Sequence, residues 1–174
     1  MPILTRMIFV MNELIFQLSD GRKILICLSA LKKMEKYRQY NSIDTEAGGI
    51  LIGRILCDSN DFIIDDVSEP MISDIRKRYS FKRNSNEHQT YFNSKWTSLN
   101  KHCFYLGEWH THPEKSPIPS RVDLNDWNRI AKLDFEPDHL FFLILGTEKI
   151  GAWCVERNQF KLNFLGSAVI DERN

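Results

Sequence analysis

The chain carries no charge surplus: 23 lysines and arginines stand against 23 aspartates and glutamates in 174 residues. A protein that follows a phosphate backbone or an anionic membrane face is normally basic, so nucleic acid and membrane are set aside as main partners. No apolar run approaches the ~18 residues of a membrane span, and the opening Met1-Pro2-Ile3-Leu4-Thr5-Arg6 lacks the charged segment and long apolar stretch that mark export. The cysteines are few and scattered. Cys27, Cys57, Cys103 and Cys154 form no Cys-x-x-Cys, which excludes a zinc ribbon or a dithiol redox pair. They read as reduced thiols packed in a core, and with the missing export signal they point to the cytoplasm. Internal repeats and low-complexity segments are also absent. The length suits a single domain, residues 1–174, that buries its core without staples.

What is present is concentrated between Gly107 and Asp123, GEWHTHPEKSPIPSRVD. His110 and His112 are spaced i, i+2, so on a strand both imidazoles leave the same face and can reach one ion. Cys103-Phe104-Tyr105-Leu106 supplies the aromatic and apolar residues of a buried strand, and Pro113 ends it by removing a ladder donor. Pro117 and Pro119 stiffen the loop that follows. Ser120 and Asp123 then make the serine-x-x-acid form of a capping box, which puts Asp123 in the first turn of a helix. Two neutral imidazoles and one carboxylate form a three-ligand zinc site with an open fourth position, the catalytic type. Taken alone a His-x-His is weak, because exposed histidines are common and one beside a tryptophan often simply packs. Upstream, Glu46 opens a nearly continuous apolar strand from Ile50 to Cys57, after Gly48-Gly49 that allow close backbone approach. A surface acid or a partner for an arginine is the bland reading of that glutamate.

Together these residues resemble the JAB/MPN (JAMM) zinc metallopeptidases. His110-Thr111-His112-Pro113, Ser120 and Asp123 follow that family's His-Ser/Thr-His-Pro, Ser and Asp in order and spacing. Glu46-Ala47-Gly48-Gly49-Ile50-Leu51-Ile52-Gly53 matches its upstream Glu-x-x-Gly-x-Leu-x-Gly strand. The resemblance implies a cytidine-deaminase-like α/β fold with a mixed, mostly antiparallel sheet flanked by helices. It implies Zn2+ on His110, His112 and Asp123, with Glu46 as general base and then general acid, and Ser120 as donor to the oxyanion. The reaction implied is hydrolysis of an amide, usually an isopeptide bond between the C-terminus of a ubiquitin-like or otherwise conjugated protein and a lysine. Deubiquitinating relatives carry an insertion after the aspartate that grips ubiquitin chains. Here only about fifteen residues separate Asp123 from His139, which counts against ubiquitin-chain specificity. Tyr105-Leu106-Gly107-Glu108-Trp109 and Pro117-x-Pro119-Ser120 are most similar to the bacterial JAB peptidases of CBASS anti-phage operons, deconjugating enzymes that release a CD-NTase from proteins joined to it. The alternatives are a JAB peptidase trimming a ubiquitin-like or sulfur-carrier protein, and a non-catalytic MPN scaffold. A metal-dependent nuclease would need basic surface that the balanced charge does not promise.

The rest of the chain reads as support. A strand or hairpin is expected over Met7–Leu18, a strand over Lys23–Cys27 and an amphipathic helix from Ser29 to about Gln39. Phe62–Val67 pairs back on the Glu46 strand. The basic stretch Ser73–Arg83 reads as a solvated edge strand, or as a dock for an acidic partner. Asn86–Asn100 is expected to be helical, and a helix from Ser120 to about Leu133 turns Leu124, Trp127, Ile130 and Ala131 inward. Strands over 139–145, 150–156 and 160–165 and a loose tail over 171–174 complete the chain. His88 and His102, outside both motifs, read as packing or surface histidines.

Overall fold

The computed structural model describes residues 13–170. The part of the first expected element before residue 13, and the tail 171–174, lie outside the described residues. In chain order the elements are β1 (Leu14–Gln17), β2 (Lys23–Ile26), α1 (Leu28–Glu35), β3 (Gly48–Ile55), β4 (Phe62–Val67), β5 (Ile75–Lys77) and β6 (Ser80–Lys82). They continue as α2 (Ser85–Ser98), β7 (Phe104–Thr111), α3 (Arg121–Ala131), β8 (His139–Leu145), β9 (Lys149–Glu156) and β10 (Lys161–Val169). Eight strands form one sheet in the order β1-β2-β4-β3-β7-β8-β9-β10. Only β2–β4 and β7–β8 are parallel; the other pairs are antiparallel, so the mixed α/β architecture is the one expected.

A parallel pair cannot be joined by a tight turn, so the chain must cross over between β7 and β8, and α3 is that crossover. Its N-terminus therefore sits beside the C-terminal end of β7. On one face of the sheet, Ala30, Leu31 and Met34 of α1 pack in a core with Ile24, Leu51, Phe62, Leu106 and Trp109. On the other, Trp127, Ile130 and Ala131 of α3 cover Leu140, Phe142, Ile144 and Trp153. Tyr91 and Phe92 of α2 lie over Ile50, Ile52 and Cys103 on that second side. Covered from both faces, β8 is buried at every position, which is why HLFFLIL shows no alternation.

Several expectations are corrected. Ser73–Arg83 is not an edge of the main sheet: β5 and β6 pair only with each other, as a hairpin closed between Lys77 and Ser80. Its arginines are engaged rather than solvated, since Arg76 Nε donates to the Glu46 carbonyl at 2.8 Å. The first helix stops at Glu35 because Arg38 is drawn into a buried site, where it donates to the carbonyls of Gly146, Thr147 and Ile170. Leu124 points outward, 39% exposed, while Trp127, Ile130 and Ala131 alone carry the inward stripe. The last strand runs on to Val169 through a register shift between Phe164 and Gly166. All four cysteines are free, but only Cys103 and Cys154 are buried and Cys57 is exposed. Among the described residues no helix is long and apolar enough to cross a membrane.

Candidate active site

Strand β7 does not alternate cleanly, and the site depends on that. Leu51 of β3 faces Gly107 and Ile52 faces Tyr105, so Leu106 has no opposite residue on β3. Leu106 and Trp109, three apart, consequently share the first core. Glu108, His110 and His112 take the other face, with Tyr105 now on their side and its hydroxyl donating to Glu108 at 3.2 Å. Gly107 makes this possible at φ +131°, in a space where a Cβ would lie 1.8 Å from the Phe141 carbonyl oxygen.

The two rings end up Nε2 to Nε2, 3.0 Å apart. Asp123 arrives from α3. Ser120 Oγ accepts from the Asp123 N–H at 3.2 Å, and Asp123 Oδ2 accepts from the Ser120 N–H at 2.6 Å, so the capping box is complete. Asp123 Oδ1 lies 3.3 Å from His110 Nε2, and Oδ2 lies 3.5 Å from His112 Nε2. Two imidazoles and one carboxylate, with ligand atoms all within 4.8 Å of one another, are a donor set that fits zinc.

Glu46 is 6% exposed, with Oε1 3.9 Å from His112 Nε2. Its main chain is held from two sides. The Glu46 N–H donates to Lys77 O at 2.8 Å, and Arg76 binds its carbonyl, so the hairpin grips it from above. From β7, Thr111 Oγ1 accepts from the Ala47 N–H at 2.9 Å, and the Thr111 N–H donates to Ala47 O at 2.8 Å. The residue between the two histidines thus fixes the neighbour of the acid. Its functional weight was missed in the sequence reading, although its place inside the motif was the signal. Above these groups opens a groove of about 630 Å³, walled by Tyr79 and Phe81 of the hairpin on one side and Val122 and Asp126 of α3 on the other.

Burial pushes the Glu46 carboxyl up to about 7; nearby Asp123 and Glu114 add to the rise and His112 opposes it. Burial would hold Asp123 up, but hydrogen bonds from His110, His112 and Ser120 keep it well below the carboxylate range. For His112, burial is outweighed by Asp123, Glu46 and Glu114, and the ring is more basic than usual. Glu46 therefore stabilises the metal-free fold fully below about pH 4.5 and loses that contribution as pH rises through about 7. His112, also raised, loses its contribution above about 6.5. Zinc-free protein should melt at falling temperature across this window, while zinc, which needs deprotonated ligands, should bind more tightly. Melting curves with chelator and with zinc at several pH values check both, and a metal-free melting temperature that climbs with pH would contradict the assignment.

None of the three remaining histidines joins the site: His139 is buried beside Asp138. His102 is exposed. His88 is wholly buried, with Nδ1 2.6 Å from Ser68 Oγ and Nε2 2.9 Å from Asp74 Oδ2. The ring thus bridges the Ser68 hydroxyl and the Asp74 carboxyl group. This serine–histidine–aspartate relay is sealed from solvent: Ser68 Oγ also accepts from the Ile50 N–H, and Asp74 accepts from the N–H groups of Met71 and Asn84. It ties α2 and the hairpin to β3.

The family model for prokaryotic homologs of the JAB domain matches residues 38–159, which takes in every residue of the site. A protein from Escherichia coli named CD-NTase/cGAS isopeptidase is 37% identical over 87% of this chain and 94% of its own. One of the same name from Vibrio cholerae is 33% identical over 77% of this chain and 83% of its own. The solution structure of a protein from Desulfitobacterium hafniense shares the fold at a TM-score of 0.50 and 22% identity, covering 78% of this chain and 86% of that one. With its fold, its two histidines and its capped aspartate accounted for, the chain belongs to the prokaryotic homologs of the JAB domain.

Proposed function

We propose that the chain, acting as one catalytic domain over residues 1–174, is a zinc-dependent isopeptidase of the bacterial cytoplasm. It hydrolyses the bond joining the C-terminus of a conjugated protein, a CD-NTase, to its target, as part of an anti-phage system. The observation that carries this reading is the meeting of His110, His112 and Asp123 within 4.8 Å of one another, with a buried Glu46 beside them, at the foot of an open groove. The similar proteins of Escherichia coli and Vibrio cholerae, named CD-NTase/cGAS isopeptidase, support the substrate.

Zinc held by His110, His112 and Asp123 supplies Lewis acidity, activating a water and polarising the scissile carbonyl. Glu46, pushed up to about 7 by burial, is ionised in part near neutral pH, and in that form accepts a proton from the attacking water and returns it to the leaving amine. The Ser120 hydroxyl accepts from the Asp123 N–H, so its own proton is free to donate to the oxyanion. Cap and oxyanion donor are compatible roles for one hydroxyl.

The test uses wild type and His110→Ala, each incubated with zinc and with a CD-NTase fused through its C-terminus to a reporter, alongside a ubiquitin fusion. Wild type should hold one zinc and cut the CD-NTase fusion at its junction, and His110→Ala should lose both metal and cleavage. Cleavage of the ubiquitin fusion instead would transfer the reading to a ubiquitin-like substrate. Stoichiometric zinc without cleavage of either fusion would favour an MPN scaffold.

A further inference from the structure

A second cavity, of about 430 Å³, opens between α2 and the connection from α3 to β8. Its walls are mainly apolar and include Ile50, Phe92, Trp96, Tyr105, Leu133 and Phe135. Tyr105 and Phe135 are stacked 4.5 Å apart, while Trp96 is 38% and Leu133 46% exposed, so unpaired apolar surface faces an opening. The cavity is not isolated. Arg83, Arg129 and Ile130 line both it and the groove over the candidate metal site, so the two adjoin across these side chains.

Arg83 stands at the junction with a donor to spare. Its Nη2 is bound to Glu108 Oε1 at 2.5 Å, but its Nε is buried and has no hydrogen-bond partner among the described residues. A buried N–H left unpaired is costly, so an acceptor arriving there is favoured. The rim also carries Asp134 and Glu136, which would repel an acidic side chain. An extended chain offers what the place asks for: main-chain carbonyls to accept from Arg83, and alternating side chains to turn inward.

We propose that the C-terminal tail of the conjugated protein runs from the metal site past Arg83, which binds its main chain, and places a bulky apolar side chain in this cavity. The inference rests on the peptidase reading above and adds where that enzyme selects its substrate. Arg83 and the cavity are specificity determinants, upstream of the bond that is cut.

The experiment measures steady-state cleavage of the CD-NTase–reporter fusion, with each apolar residue of the tail replaced by alanine in turn. The enzymes are wild type, Arg83→Lys, and two variants that fill the cavity from opposite walls at exposed positions, Gln89→Trp and Leu133→Trp. One tail replacement should raise KM about tenfold with wild type, the effect expected of a lost apolar contact in a pocket. Either filled variant should show that higher KM with the natural tail, keep its zinc, and be insensitive to the same replacement. Arg83→Lys keeps a charge for Glu108 but has no Nε–H, and should raise KM for all tails alike. Filled variants that fold, bind zinc and cleave every fusion with wild-type KM would overturn the cavity proposal alone. A zinc-loaded wild type that cuts no fusion would overturn the peptidase reading and this one with it.

Discussion

Glu46→Gln is expected to slow cleavage of the fusion substrate by roughly 10²–10⁴-fold while leaving one zinc bound per chain. Glutamine keeps the length of the side chain, and the contacts that place residue 46 are made by its main chain, to Lys77, Arg76 and the Thr111–Ala47 pair. What it removes is the ability to take a proton. The carboxylate must be ionised to act as a base, so the wild-type rate should fall on the acid side as Glu46 takes up a proton, and the residual rate of Glu46→Gln should not. Kinetics against pH together with zinc content separate this role from that of a ligand. If the substitution releases zinc, Glu46 belongs to the metal site; if cleavage persists at the wild-type rate, some other group carries the proton.

Gly107→Ala should cost more than about 4 kcal/mol, the range reserved for backbone strain joined to a steric collision, and leave little folded protein. At φ +131° an L side chain is strained, and the added Cβ would lie 1.8 Å from Phe141 O and 2.8 Å from Phe141 C and N, all main chain that cannot swing aside. Gly166→Ala is the control, because Gly166 has φ +140° but its nearest neighbour is a ring atom of Phe16 at 3.5 Å. It should show the strain alone, about 1–3 kcal/mol. Urea unfolding of both variants decides the matter, and equal losses would show that the contact with β8 does not matter.

The sequence was most readable where function is written in local spacing. The His-x-His pair, the serine-x-x-acid cap and the acid ahead of the glycine-rich strand each follow from a short-range rule, and each lands where that rule puts it. Less legible were features decided by distant partners. Arg76 and Lys77 look like a solvated charge run until the Glu46 main chain, some thirty residues away, is seen between them. The slip in β7 at Gly107 is silent in the residue pattern, because it is set by the register of β3 and the closeness of β8. Leu124 fits the helical stripe by spacing, yet that stripe is narrower than the periodicity suggests. His88 was correctly set apart from the metal site, but its burial between Ser68 and Asp74 depends on where three separate segments meet.

The contrast between local and distant parts also runs through the site itself. The three candidate ligands come from one run, His110 to Asp123, closed by a stiff loop and a self-contained helix cap. Glu46 belongs to another strand, and reaches them only once β3 has zipped against β7 and the hairpin has closed over it. Closing a short loop is entropically cheaper than closing a long one. Fraying of the β3–β7 ladder would therefore part Glu46 from the three candidate ligands, which share one short run of chain. The acid and the ligands it would serve are thus held together by the sheet, while the ligands are held to one another by local chain alone.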